Sequence, residues 1–461
     1  MKAFLENKLS GKKVLILGVG IEGQSSYRML REFFPTMPLA IADQRVELPN
    51  PGLWQHPLTS IRTGFAYLEG LADYDLVIKS PGISMETLHD CLQPRQLTSQ
   101  TALFLEAYRS KVIGITGTKG KTTTSHLVHH VLKTAGMDAL LVGNMGLPPF
   151  EVVGRIGDHT QVVFELSSHQ LENLTVSPHI AVLLNIYQEH LDHYASYKHY
   201  QLAKFNIARH QQEGDWFIYA GEDARIATLV NEIPIKSNKV PYGFDLSANG
   251  LVFSKDQVLY TRKKGKPYMV CDQRPLTMLP GRHNQLNMMA AVAVCLLKGI
   301  KPEIIGKAAA SFKALPHRLE KLGEIGGKIF YNDSIATIPE AAIVAVAALQ
   351  GVDCMILGGH DRGIDYSEFV RFLGESNIPH FVFTGLAGLR IFEALLAGYS
   401  CWERCSFFDK FDDAVRAAIE KTAPGKICLL SPAASSYDQF KNFEHRGNRF
   451  REIVKEIHLP Q

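Results

Sequence analysis

Residues 117–124 read Gly-Thr-Lys-Gly-Lys-Thr-Thr-Thr, a run in which two glycines alternate with cations and hydroxyls. Gly117 and Gly120 let the backbone curl so that successive N–H groups converge on one anion. Lys121 can reach the terminal phosphates of a nucleotide, and Thr122 or Thr123 can hold Mg2+. The apolar residues from Val112 to Ile115 read as a buried strand before the curl. An amphipathic helix starting near Thr122 follows, and its N-terminus adds partial positive charge. This is the pattern of a phosphate-binding loop, with ATP as the expected ligand. The strict motif would place glycine at Ile115, so an ordinary strand–turn–helix corner carrying an accidental Gly-Lys is the competing account. The strand before and the helix after favour phosphate.

Other residues gather where strands end. Glu165 closes the apolar run that begins at Val162 and stands beside Ser167 and Ser168, where a carboxylate can serve Mg2+ or merely shape a turn. Asn185, Glu189, His190 and Asp192 follow the next apolar run and suit a second metal, a phosphoryl group or a solvated loop. Lys204 falls in a helical segment from Tyr197 to Arg209, where a solvated face is the default for lysine. Asn284 and Asn287 are three apart, hence on one helix face, and can bind a base or ribose or cap the helix. Turns at His317–Arg318, Asn332–Ser334, Gly358–Gly363 and Ser431–Ser436 together make a polar rim suited to a substrate. Near the start, Gly18, Gly20 and Gly23 precede Asp43 by the spacing of a dinucleotide fold. Taken alone, that spacing favours a nicotinamide or flavin site, with a plain nucleotide-binding or structural turn as the alternative.

The elements that must hold these residues alternate. Strands are expected at 12–17, 39–43 and 76–80, with a helix from Gln24 to about Phe33, making a small Rossmann-type unit that ends near Arg109. A second unit starts at the phosphate loop and includes strands from Val162 and Ile180. Its 216–278 segment reads as short antiparallel strands, and a helix from about Asn284 to Leu297 closes it. A third α/β pattern runs from about Ala314, with strands at 328–331, 354–357, 380–383 and 427–430 and a helix from Asp438 to Ile457. Strands alternating with helices predict mostly parallel sheets. With 461 residues, several domains are expected. A net charge of +3 gives no reason to expect nucleic acid as a partner. Seven scattered cysteines suit a reducing cytoplasm, and Cys401 and Cys405 lack a companion pair for zinc. No run approaches a membrane span or a signal peptide, so a cytoplasmic protein is expected.

Over nearly its full length the chain resembles the Mur ligase family. The resemblance rests on Thr116–Thr123, Phe164–Glu172, Asn185 with His190–Asp192, Gly281–Asn287, Leu315–Arg318 and Leu430–Ala433 with Asp438–Glu444. It is strongest to the members that add glutamate to UDP-N-acetylmuramoyl-L-alanine. It implies an α/β fold of three domains: 1–109 binding UDP, 110–313 a central ATPase, and 314–461 a Rossmann-like domain for the amino acid. It implies ATP contacts at Gly117, Thr118, Lys119, Gly120, Lys121, Thr122, Thr123, Asn284, Asn287, Arg318 and Asp333. Gly20, Asp43, Arg45 and Asn144 would serve the UDP-sugar; Thr337, Arg362, Ser436 and Phe443 would serve the amino acid. Mg2+ would lie on Thr122, Glu165, His190 and Lys204, the last converted by CO2 to a carbamate. Lys121, His190 and Lys204 would be catalytic. The nicotinamide reading of the first glycine turn recedes accordingly.

Two positions depart from the pattern of the D-glutamate enzymes, which carry lysines where this chain has Ile335 and Arg362. Ile335 cannot bind an anion, and Arg362 offers a fork in place of a point charge. These changes, with Lys119 where most relatives have asparagine, resemble the subgroup that adds L-glutamate and leaves inversion to an epimerase. L-glutamate is therefore the expected acceptor, with D-glutamate as the alternative and a folylpolyglutamate synthase-like ligase as a further one. A monomer is expected.

Overall fold

The computed structural model describes residues 1–143, 146–189, 193–244, 251–263, 265–274, 281–313 and 315–456. The chain divides into two compact units: residues 1–274 with 286–310, and residues 275–285 with 311–461.

The described residues of the first unit form two sheets. In one, β1 (Val14–Leu17), β2 (Leu39–Asp43), β3 (Thr59–Thr63), β4 (Leu76–Lys79) and β5 (Leu97–Thr98) run in the order β3-β2-β1-β4-β5, all parallel. Every residue of β1, β2 and β4 is buried, as continuous apolar runs covered on both faces should be. The helix after β1 spans Ile21–Phe33 and begins three residues before the expected Gln24. Gly20 caps it, and a Cβ at Gly23 would strike the carbonyl oxygen of Gly18, so glycine there permits the close strand–helix approach.

The second sheet comprises β6 (Val112–Thr116), β7 (Ala139–Gly143), β8 (Gln161–Glu165), β9 (Ile180–Leu183), β10 (Trp216–Ala220), β11 (Asn238–Gly243), β12 (Val252–Lys255), β13 (Val258–Lys263) and β14 (Lys266–Asp272). Its order is β14-β13-β12-β11-β10-β9-β6-β8-β7. The expectation of antiparallel strands from 216 onward needs correction. β10 pairs parallel with β9 and β11, because the helix Ala224–Glu232 forms the crossover between β10 and β11. Antiparallel pairing is confined to β12, β13 and β14.

The described residues of the second unit form one sheet: β15 (Glu320–Ile325), β16 (Lys328–Asn332), β17 (Val352–Gly358), β18 (His380–Thr384), β19 (Cys405–Phe408) and β20 (Ile427–Leu430), in the order β15-β16-β20-β17-β18-β19. All pairs are parallel except β15 with β16. Alternate residues of β17 enter opposite cores, Met355 and Leu357 on one face and Cys354 and Ile356 on the other. The period of two in a doubly covered sheet produces that split. The last helix is Phe443–Glu456, so residues 438–442 form a turn and not the expected helix start. Among the described residues no helix is long and apolar enough to cross a membrane.

Candidate active site

β6 lies inside the parallel sheet between β8 and β9, so its carboxyl end opens where the strand order reverses. Open α/β sheets bind ligands at that position. Gly120 caps the helix Lys121–Thr134 with φ +87°, a left-handed conformation, and any Cβ there would collide with Asn287 Oδ1. The curl is pinned from the next strand end. Thr118 N donates to Asn185 O at 3.0 Å, Lys119 N donates to Asn185 Oδ1 at 2.9 Å, and Asn185 Nδ2 returns a bond to Lys119 O at 3.0 Å. Lys121 Nζ donates to Gly117 O and Thr118 O, both at 2.9 Å, so its charge sits within the curl. Thr122 Oγ1 donates to Glu165 Oε1 at 3.2 Å. Both residues are buried, and together they offer hard oxygen donors of the kind Mg2+ takes.

Lys204 corrects the solvated-face expectation. Its helix, Tyr197–Arg209, has the expected bounds, but the lysine is 2% exposed. Its Nζ donates to Gly117 O at 3.0 Å and lies 4.8 Å from the Tyr200 ring centroid. Burial, then the nearby Lys121 ammonium, push this amine well below the usual lysine range. Tyr200, four residues earlier on the same helix, shares a hydrogen bond with Thr118 Oγ1 at 2.8 Å. Sequence reading passed it over, although the i, i+4 spacing to Lys204 was available. Lys119 pairs with Glu189 at 2.7 Å. Asn144, His190 and Asp192 lie outside the described residues.

On the first sheet, Asp43 ends β2 beside the glycine turn that follows β1. Its Oδ2 accepts from Val19 N and Arg45, and its Oδ1 from the Arg45 amide and side chain, at 2.7–2.9 Å. Burial alone would raise this carboxyl, but the Arg45 fork and the two amides outweigh it and hold the pKa below the ordinary value. With each oxygen already accepting two bonds, Asp43 is poorly placed to take both hydroxyls of a nicotinamide ribose. Gly20 stands at the N-terminus of the adjoining helix.

In the second unit, Asp333 follows β16. It accepts from Leu319 N and from Ser431 Oγ, each at 2.9 Å, and burial pushes its pKa up to about 7. His317 and Leu319 both have positive φ, +61° and +47°, so Arg318 is presented on a strained turn that Asp333 fastens. Arg362 donates to Thr337 O at 2.9 Å, which joins two residues expected at the amino-acid site. Ser436 is buried in the turn after β20, and Phe443 O accepts from Ser334 Oγ at 2.8 Å. Ile335 is half-buried, with its amide bonded to His317 O. The helix Arg282–Leu297 carries Asn284 and Asn287 one turn apart, both buried.

A phosphate loop at the crevice of a parallel sheet, with a threonine–carboxylate pair and a buried lysine against it, defines a nucleotide-using α/β enzyme. Known proteins narrow the class. Residues 115–295 match the Mur ligase middle domain, and residues 317–434 match the Mur ligase glutamate ligase domain. A UDP-N-acetylmuramoylalanine--D-glutamate ligase of Symbiobacterium thermophilum is 32% identical over 458 residues, covering 97% of this chain and 98% of that protein. One of the same name from Geobacillus kaustophilus is 33% identical over 455 residues, covering 97% and 98%. The structure of a UDP-N-acetylmuramate-alanine ligase from Thermotoga maritima superposes with a TM-score of 0.58 at 20% identity, over 96% of this chain and 99% of that one. The chain belongs to the Mur ligase family, whose members are ATP-dependent amide ligases of peptidoglycan precursor synthesis.

Proposed function

We propose that this enzyme joins glutamate to UDP-N-acetylmuramoyl-L-alanine at the expense of ATP, in the cytoplasm. The names of its relatives support D-glutamate as the acceptor, against the L-glutamate expectation drawn from the sequence. L-glutamate, with an epimerase acting afterwards, is the second reading. It rests on Ile335, an apolar side chain where the D-glutamate pattern has a cation, and on Arg362 held against Thr337. Residues 1–109, 110–313 and 314–461 would take the nucleotide sugar, ATP and the amino acid respectively.

The substrate carboxylate attacks the γ-phosphorus of ATP, ADP leaves, and an acyl phosphate forms. Lys121 and the amides of residues 117–122 stabilise the charge on the phosphoryl oxygens as they transfer. Mg2+ supplies further charge neutralisation when bound. Thr122 and Glu165 fit it, and among the described residues no three-member His, Cys, Asp or Glu cluster replaces them. Lys204 would complete the donor set: its neutral amine adds to CO2, loses a proton and becomes an anionic carbamate. The glutamate amine then attacks the acyl carbon, and phosphate departs with the oxygen it received. Asp43, Arg45 and Gly20 are assigned to the uridine diphosphate end, with Asn144 and His190 carried by the resemblance alone.

The observation that carries this reading is Lys121 and the buried Lys204 meeting on one loop carbonyl beside Thr122–Glu165. ADP release measured with UDP-N-acetylmuramoyl-L-alanine and each glutamate enantiomer tests it. Faster turnover with D-glutamate supports the first reading and faster turnover with L-glutamate the second; release with neither contradicts both.

A further inference from the structure

Arg446 is the largest fully buried side chain among the described residues, 2% exposed in the first turn of the helix Phe443–Glu456. Its guanidinium makes no hydrogen bond to a carboxylate among the described residues. Nε donates to Ser334 Oγ at 3.0 Å. One terminal nitrogen donates to Ser334 O at 2.8 Å and Ala434 O at 3.0 Å, and the other to Ser435 O at 3.2 Å and Gly358 O at 3.4 Å. These oxygens belong to the turns that leave β16, β20 and β17, three neighbouring strands at the centre of the sheet. Ser334 Oγ in turn donates to Phe443 O, tying in the helix start. A Cβ at Gly359 would stand 3.0 Å from the guanidinium, so glycine leaves room for it.

A buried arginine held by carbonyls is costly, because burial disfavours its charge and no direct counter-ion repays it. Asp333 and Asp438 are the acidic groups that raise its pKa, against the desolvation that lowers it. That cost implies a use. The peptides are trans, so each carbonyl drawn to the guanidinium turns the N–H of the following residue the opposite way. The N–H groups so turned are those of Ile335, Gly359, Ser435 and Ser436; the first is taken by His317 O, and Ser435 pairs with His360 in an antiparallel bridge. Arginine thus fixes both the spacing of three turns and the aim of the amides of Gly359 and Ser436. Thr337, Arg362 and Ser436, which the proposed function assigns to the acceptor, follow on these same turns.

We propose that Arg446 is the positioning residue of the amino-acid acceptor site, which gathers the turns after β16, β17 and β20 into one donor set for an acceptor carboxylate. This rests on the assignment of that rim to the amino acid.

The test is steady-state kinetics of Arg446→Lys and Arg446→Ala with all three substrates, using whichever amino acid the wild type accepts best from a panel that includes both glutamates. The KM for the amino acid should rise about tenfold or more, as expected when several hydrogen bonds from a charged group are lost. The KM values for ATP and the UDP-sugar should stay within about twofold. Guanidinium added to Arg446→Ala should lower the raised amino-acid KM, which a merely structural defect would not permit. If Arg446→Ala does not fold, Ser334→Ala removes one of the five bonds and should raise the same KM about threefold. Folded variants whose three KM values move together, or whose amino-acid KM is unchanged, overturn the proposal. A wild type that prefers an acceptor other than glutamate overturns the glutamate reading and leaves this test intact; one that uses no amino acid overturns both.

Discussion

Lys121 Nζ and Lys204 Nζ donate to the same atom, the carbonyl oxygen of Gly117, at 2.9 and 3.0 Å. Two lysines on one oxygen repel if both are charged, and Lys204 is the more deeply buried. Burial, then the nearby Lys121, lower the pKa of Lys204 well below the usual lysine range. In the proposed mechanism Lys121 is the electrostatic clamp and Lys204 the amine that would take up CO2.

Lys204→Ala should lower turnover at least ~100-fold, and millimolar formate or acetate should restore part of it by supplying the missing carboxylate oxygens. Lys204→Arg should be as inactive and unrescued. Independently of activity, 13C-bicarbonate should give a carbamate resonance in wild type that Lys204→Arg lacks. Identical spectra from the two proteins would remove the carbamate.

Lys121→Ala leaves the fold of the curl to its amides and removes the clamp. Substrate-dependent ADP release should fall about 10^3-fold, while binding of the UDP-sugar, measured by calorimetry, changes little. Undiminished release would dissociate the loop from catalysis.

Gly120→Ala places a methyl group against Asn287 Oδ1 and forces alanine to φ +87°. The strain should cost about 1–2 kcal/mol of stability. Weaker ATP binding should accompany it, because Asn287 must move to make room. Thermal unfolding with and without nucleotide reads both effects; a variant with wild-type melting and affinity would show that the left-handed cap is dispensable.

Glu22 follows the Gly18–Gly20 turn. Its Oε1 accepts from Gln170 at 2.6 Å, while Oε2 is buried with no hydrogen-bond partner among the described residues. Burial raises its pKa from 4.5 to about 7, against the Gln170 bond and the Lys79 charge. A carboxyl raised in the fold stabilises fully below its unfolded pKa and loses that contribution as pH climbs through its folded value. Wild-type stability should thus fall between about pH 4.5 and pH 7 on account of this group. Glu22→Gln should flatten that slope and melt higher than wild type at pH 8. Parallel pH–melting curves would contradict the assignment.

The phosphate loop could be read from sequence because its glycines and lysines act through the local backbone. The strand Leu39–Asp43 and the helix Tyr197–Arg209 were also legible from pattern. The burial of Lys204 was not, since it depends on how that helix lies on a loop nearly ninety positions away. β15, with Lys321, Gly323 and Glu324 breaking its apolar residues, escaped notice because it is an antiparallel edge strand and needs no continuous apolar run. Arg446 sits in an amphipathic helix where arginine ordinarily meets water. Only the convergence of three distant turns reveals its task.

The most direct measurement follows an oxygen atom. UDP-N-acetylmuramoyl-L-alanine labelled with 18O in the alanine carboxylate is turned over with ATP and glutamate, and the released phosphate is analysed by mass spectrometry. Activation of the carboxylate by phosphoryl transfer predicts one 18O per phosphate, in step with ADP and amide. Phosphate without label, or ADP formed without amide, would contradict the account.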